Sequence, residues 1–129
     1  MPRLLTTSRR LTTKLVASLA FTMIASAAMA HAQLQKAVPG VGSVVTASPK
    51  EIRLNFSEGV EPRFSGVTLQ GADGQTVETG AASVDAADHE TLIVPIKAQL
   101  APGSYKVSWH VVSVDTHKTQ GSFSFTVKP

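Results

Sequence analysis

Residues 104–127, S-Y-K-V-S-W-H-V-V-S-V-D-T-H-K-T-Q-G-S-F-S-F-T-V, form two alternating segments joined by a polar turn. In the first segment every second residue is aromatic or β-branched, namely Tyr105, Val107, Trp109 and Val111. In the second segment, which Gly121 opens, the alternating residues are Phe123, Phe125 and Val127. Successive side chains of a strand point to opposite faces, so each segment has one apolar face. The stretch predicts two strands that each bury one face.

The same pattern continues on the N-terminal side. Short apolar runs alternate with Gly, Pro, Asp and Ser, and no stretch has a helical period over ten or more residues. The predicted strands are Glu51 to Phe56, Val67 to Leu69, Gln75 to Glu78 and Thr91 to Ile96, and the second and third form a hairpin. Several short strands at this spacing predict one all-β domain, a β-sandwich or a Greek-key β-barrel.

Residues 1–30 differ from the rest of the chain. Their first half carries four basic residues, Arg3, Arg9, Arg10 and Lys14, and none of residues 1–30 is acidic. The apolar run Leu15 to Ala27 is too short to span a bilayer. It is followed by Ala28-Met29-Ala30, the pattern that signal peptidase cuts. The sequence therefore predicts a signal peptide over 1–30, cleaved after Ala30, and an exported domain over 31–129 with no membrane anchor.

Removal of the signal peptide changes the composition. Residues 31–129 keep eight of the twelve Lys and Arg against nine Asp and Glu, so their net charge is about −1 with histidine neutral. No basic patch with interleaved aromatic residues is visible, so nucleic acid is not an expected partner. The three methionines all lie in 1–30, and the chain has no cysteine. Disulfides, thiolate metal sites and cysteine nucleophiles are thereby excluded.

The turn between the last two strands carries two candidate metal ligands, Asp115 and His117. In an extended backbone residues i and i+2 point the same way, so the two side chains are predicted to face one spot. Cleavage after Ala30 makes His31 the first residue, with an α-amine beside its imidazole. Three nitrogens and one carboxylate oxygen suit Cu(II) best, and Zn(II) is the alternative metal. A hydrogen-bonded surface turn without metal is the competing interpretation.

The sequence resembles the CopC family, periplasmic copper-binding proteins of bacterial copper resistance and uptake systems. The matching segments are His31 directly after the signal, Val38-Pro39 with the Gly/Ser-rich turn after it, Leu54 to Glu58, Leu100 to Val107, and Trp109 to Gly121. The resemblance implies a Greek-key β-barrel close to cupredoxins and immunoglobulin sandwiches, located in the periplasm.

The resemblance also implies a ligand set for one Cu(II) per chain. The amine and ring of His31 bind copper together with His117 and Asp115, and Glu58 matches a glutamate that lies near the metal in some members. Glu58 has an alternative role as an ion-pair partner of Arg63 or Lys118, in which case it is not a copper ligand. Some members bind Cu(I) through a methionine-rich loop, but residues 69–91 contain no methionine, so no Cu(I) site is expected here.

The function implied is that of a Cu(II) carrier or chaperone, not an enzyme. A monomer would exchange copper with an inner-membrane transporter of the CopD type or with other periplasmic copper proteins. Two alternatives stay open. One is a copper monooxygenase with a histidine brace, which the small size and few aromatic residues argue against. The other is an envelope β-sandwich that acts as an interaction domain without a metal.

The two remaining histidines are expected to face solvent. His110 lies on the strand face opposite Tyr105 and Val107, and His89 lies in an acidic segment predicted as a loop. Trp109, the only tryptophan, is expected to pack in the core.

Overall fold

The computed structural model describes residues 31–129. The predicted signal peptide and its cleavage point after Ala30 lie outside the described residues. Within 31–129 the chain forms nine strands and a single 3-10 turn at Pro62–Phe64. The strands are β1 (Leu34–Val38), β2 (Val44–Val45), β3 (Glu51–Phe56), β4 (Gly66–Gly71), β5 (Thr76–Val77), β6 (Ser83–Asp85), β7 (Asp88–Pro95), β8 (Gly103–Val112) and β9 (Lys118–Val127).

These strands form two sheets, which confirms the predicted all-β sandwich. One sheet has the order β1-β3-β7-β6 and the other the order β2-β9-β8-β4-β5. All pairs are antiparallel except β2 and β9, which run parallel. The predicted hairpin is present as β4 and β5. No helix in 31–129 has the length and apolarity needed to cross a bilayer.

The core lies between the predicted apolar faces. Ile52, Leu54 and Phe56 of β3 are completely buried, and they face Val107 of β8 and Phe125 of β9 across the sandwich interior. Alternating burial along each of these strands follows from the alternation of their side chains. The predicted core faces of the long strands are confirmed.

Trp109 lies at the margin of this core. Its ring meets the ring of Phe56 edge-on, with 5.1 Å between centroids and 67° between planes, so it packs as expected. It also crosses the backbone of β9 at Gly121, its cross-strand partner. A Cβ at Gly121 would lie 2.6 Å from Cζ2 of the indole. Glycine is therefore required there by the close approach of the ring.

Several strand boundaries differ from the sequence expectations. β7 begins at Asp88 instead of Thr91, so His89 lies on a strand and not in a loop. β9 begins at Lys118 instead of Gly121, because the ladder with β8 continues to the pair Val112 and Lys118. β1, β2 and β6 were not predicted. Each is short, and tertiary pairing forms it where local alternation is weak.

One end of the sandwich gathers the segments that carry the candidate ligands. The pairing of Leu34 with Phe56 places the residues before β1 alongside the residues after β3. Gln33 N–H donates to Ser57 Oγ at 2.8 Å, and Ser57 N–H donates back to the Gln33 carbonyl at 2.9 Å. Thr119 Oγ1 donates to the carbonyl of Ala32 at 2.9 Å. The segment before β1 is thus attached to both sheets.

Candidate metal centre

His31 and His117 meet at this end of the sandwich. Their ring centroids are 5.0 Å apart and the ring planes are at 87°, an edge-to-face contact. His31 is held there because its carbonyl accepts a hydrogen bond from Ser57 Oγ at 3.4 Å and because Ala32, the next residue, is buried. The structure therefore brings together the two histidines that the sequence placed in one site.

The turn that carries His117 is closed by Ser113. Its N–H donates to the His117 carbonyl at 2.9 Å, and its fully buried Oγ accepts from the His117 N–H at 3.2 Å. Thr116 N–H donates to the Ser113 carbonyl at 2.8 Å, and Thr116 has a φ of 73°. A non-glycine residue adopts the left-handed conformation at a cost, which the surrounding hydrogen bonds offset here.

Asp115 contacts both Ser113 and His117. Ser113 Oγ donates to Oδ1 of Asp115, and Oδ2 lies 3.1 Å from His117 Nδ1. The hydrogen bond from Ser113, and after it the one from His117, lowers the pKa of Asp115 below its ordinary value. Because Nδ1–H is directed at the carboxylate, Nε2 of His117 is left to bind a metal.

The contact between Asp115 and His117 has a different origin from the one expected. The spacing argument assumed an extended backbone, in which both side chains project the same way. The structure has a tight turn instead, with Thr116 at positive φ. The proximity of the two side chains was predicted correctly, but the extended backbone that was expected to produce it was wrong.

Two polar atoms at this end are enclosed and have no hydrogen-bond partner, His31 Nδ1 and Glu58 Oε1. Glu58 lies between Ser57, which contacts His31, and Gly59, whose carbonyl accepts from Val114 N–H at 3.0 Å. Its segment thus runs between the segment before β1 and the 113–117 turn. Enclosed polar atoms without partners are costly, which makes both atoms candidates for a ligand that is not part of the polypeptide.

Glu58 makes no ion pair within residues 31–129. The ion pairs there join Arg53 with Glu51, Arg53 with Asp85, Lys97 with Glu78, and His117 with Asp115. The alternative role of Glu58, pairing with Arg63 or Lys118, is therefore wrong for this structure.

Three of the four predicted ligands, His31, His117 and Asp115, are joined by pairwise contacts, and they do not form a completed shell within residues 31–129. No group of three or more His, Asp or Glu side chains in residues 31–129 has a metal-binding arrangement. The side chains present are the pair His31 and His117, the pair His117 and Asp115, and Glu58 in the adjoining segment. The α-amine of a processed His31 would add a donor that belongs to no side chain.

The other predicted positions behave as expected. His110 and His89 are both exposed.

Sequence reasoning missed the roles of Ser57, which donates a hydrogen bond to the His31 carbonyl, and of Ser113, which donates one to the Asp115 carboxylate. The spacing S-x-D-x-H was visible, but a serine two residues before a carboxylate is too common in turns to signal this contact.

Comparison with known proteins decides the family, because a family model described as the CopC domain matches residues 34–128. The chain belongs to the CopC family. The resemblance seen in the sequence is thereby confirmed. The match includes Glu58, Asp115 and His117, whereas His31 lies three residues before it.

Individual relatives agree with this assignment. Protein YobA of Escherichia coli strain K12 is 44% identical over 113 residues, which cover 88% of this chain and 91% of YobA. The crystal structure of CopC from Methylosinus trichosporium OB3b superposes with a TM-score of 0.71 at 36% identity, covering 77% of this chain and 95% of that one.

PcoC from Escherichia coli, described as a methionine-rich copper resistance protein, is similar at 36% identity with a TM-score of 0.68. The match covers 77% of this chain and all of PcoC. Residues 31–129 of this CopC-family chain contain no methionine, so they lack the residue type that gives PcoC its description.

Proposed function

We propose that this CopC-family protein is a periplasmic carrier of Cu(II), with its copper bound by the α-amine and ring of His31 together with His117, which Asp115 orients. The observation that carries the proposal is the contact of the His31 and His117 rings at 5.0 Å, with His31 Nδ1 enclosed and without a partner. The names of its relatives, among them a copper resistance protein, support copper as the metal.

His31 is suited to chelation because its α-amine and Nδ1 belong to one residue. Both nitrogens close a ring on one metal ion, so little entropy is lost in gathering them. His117 adds Nε2, since Asp115 already accepts the proton of Nδ1. These nitrogens favour Cu(II), which heads the affinity order for such donors. Without Met or Cys in 31–129, no soft ligand favours Cu(I).

We assign Asp115 an orienting role toward His117 in the geometry described. Each of its carboxylate oxygens already has a partner, Ser113 Oγ for one and His117 Nδ1 for the other. Its negative charge also offsets part of the charge of a bound Cu(II). Glu58 Oε1, which has no hydrogen-bond partner within residues 31–129, is an oxygen still free to act as an additional ligand.

A carrier fits this end of the sandwich better than a monooxygenase does. His117 is 52% exposed, so a partner can reach it to exchange copper. Of the aromatic residues in 31–129, Phe64 alone is largely exposed, so the described surface lacks the aromatic platform typical of enzymes that act on polysaccharides. As a monomer, the protein would exchange copper with a CopD-type membrane transporter or another periplasmic copper protein and would catalyse no reaction.

Removal of His117 tests the proposal. In competition with a chelator of known affinity, His117→Ala should weaken Cu(II) binding by more than about 100-fold, the upper end of losses caused by residues that only orient a ligand. His110→Ala is the matched control, because it removes an exposed imidazole from the outer face of the neighbouring strand. An unchanged affinity in His117→Ala would overturn the proposed site.

A further inference from the structure

A groove on the outer face of the five-stranded sheet lies beside the candidate metal centre. Its cavity has a volume of about 740 Å³. We call it the β8–β9 groove, and the lining residues that matter here are Phe64, His110, Val112, Thr116, Lys118 and Gln120. It is distinct from the proposed ligands, none of which lines it.

One wall of the groove is an exposed aromatic ring carried by a hydrogen-bonded turn. Phe64 is 62% exposed, yet its turn is attached to the end of β8. Val112 N–H donates to Ser65 Oγ at 3.1 Å, the Val112 carbonyl accepts from Glu61 N–H at 2.8 Å, and Ser65 Oγ donates to the Glu61 carbonyl at 2.7 Å. A ring presented by a rigid turn loses little conformational freedom when a partner covers it.

The floor is formed by side chains on the outer face of the sheet, both polar and apolar. His110 pairs with Gln120 across β8 and β9, and Val112 pairs with Lys118, so these side chains project from one face. The His110 ring lies against β4 at Gly66, where a Cβ would be 3.0 Å from its Cε1. The absence of a side chain at Gly66 leaves room for the imidazole.

The one charged residue that lines the groove is basic. Lys118 lines it, and the Arg63 guanidinium lies 5.9 Å from the centroid of the Phe64 ring. No residue that lines the groove is acidic. Two carboxylates are near the groove in sequence: Asp115, which is directed at Ser113 and His117, and Glu61, three residues before Phe64. An exposed aromatic ring with Arg63 beside it and Lys118 in the same groove is complementary to a segment that carries acidic and apolar side chains.

We propose that the β8–β9 groove docks an acidic segment of a partner protein, with an apolar side chain of that segment against Phe64 and its carboxylates near Lys118. Thr116 and Lys118, which line the groove, flank His117 in sequence, so a docked segment lies next to the proposed copper ligand. Docking itself needs no metal. Its use in copper exchange rests on the proposed function.

Docking can be measured on metal-free protein by NMR. The probe is the peptide E-E-F-D-E-L with blocked ends, and the matched control is Q-Q-F-N-Q-L. We expect saturable shifts of the amide signals of His110, Lys118 and Gln120 with the acidic peptide, weaker at high salt because the charges are exposed. Lys118→Gln should weaken binding about fivefold, the factor for one exposed charge pair at about 4 Å.

Lys128→Gln is the matched control variant, because Lys128 is an exposed lysine just beyond the other end of β9. Phe64→Ala should also reduce binding. Because Phe64 is exposed, its removal should leave the fold intact, and the dispersion of the NMR spectrum checks this directly. Equal binding of the two peptides, shifts located elsewhere, or equal weakening by Lys128→Gln would overturn the proposal.

Citrate serves as a third probe. Binding of citrate in the groove without binding of the peptide would mean a small-anion site and would also overturn the proposal. Because no copper is present, these outcomes are separate from those of the copper experiments. Loss of copper binding in His117→Ala with intact peptide docking would distinguish the two sites.

Discussion

Oδ2 of Asp115 lies 3.1 Å from Nδ1 of His117, so the carboxylate fixes which imidazole nitrogen remains available to a metal. Ser113 holds the other carboxylate oxygen, which prevents Asp115 from turning away. The arrangement couples a buried serine, a carboxylate and an imidazole within one five-residue turn. It is this coupling, more than the presence of a D-x-H spacing, that leaves Nε2 of His117 available.

Replacement of Asp115 tests its orienting role. Asp115→Ala should weaken Cu(II) binding about 10–100-fold, the usual scale for a residue that orients a metal ligand. Asp115→Asn should weaken it to a similar degree, because an amide N–H facing Nδ1 favours the tautomer in which Nε2 carries the proton. Chelator competition measures both. A loss as large as that of His117→Ala would mean that Asp115 binds copper directly.

Replacement of Gly121 tests the packing of Trp109. In Gly121→Ala the new Cβ would lie 2.6 Å from the indole, so the ring or the strand must move. We expect the free energy of unfolding to fall by about 1–3 kcal/mol, as for other overpacked sites. Denaturant unfolding followed by tryptophan fluorescence measures this. Ser122→Ala, at an exposed neighbouring position, is the control and should have little effect on stability. A Gly121→Ala protein as stable as the parent would contradict the close contact.

The ion pair of Asp85 with Arg53 predicts a pH dependence of stability. Hydrogen bonds from the Ala87 N–H and then from Arg53, 2.6 Å away, lower the pKa of Asp85 below its ordinary value. A carboxyl whose pKa is lowered by folding stabilises the protein above its unfolded pKa, and this contribution is lost as the pH falls through the folded pKa. Asp85→Asn should therefore lower the Tm near neutral pH and have no effect in strong acid.

A matched comparison supports that measurement. Asp73→Asn removes an exposed carboxyl that makes no ion pair within residues 31–129. Thermal unfolding of both variants between neutral pH and pH 2 should show a pH-dependent difference from the parent for Asp85→Asn only. A difference for Asp85→Asn that stays constant down to pH 2 would contradict the lowered pKa.

The sequence predicted the long strands because their burial follows local alternation. Ile52, Leu54 and Phe56 are buried as the period of two requires, and the same holds in β8 and β9. β1 could not be found in this way, since only Ala37 of its five residues is buried. Its pairing with β3 depends on the rest of the sheet, which no local pattern encodes.

The candidate site was predictable to a smaller extent. The spacing of Asp115 and His117 and the position of His31 after Ala30 were visible in the sequence. The contacts of Ser57 with His31 and of Ser113 with Asp115 were not, because they depend on the turn conformation and on the docking of the segment before β1. The unpartnered Oε1 of Glu58 is likewise a property of the folded chain.

The most direct test is a Cu(II) titration followed by EPR on two proteins, one that begins at His31 and one with a single alanine added before it. We predict one tightly bound equivalent with a tetragonal, nitrogen-rich signal in the first protein, and loss of that signal in the second, because the added residue removes the α-amine from the chelate. Identical signals and affinities in both proteins, or several weak equivalents in each, would contradict the proposed copper site.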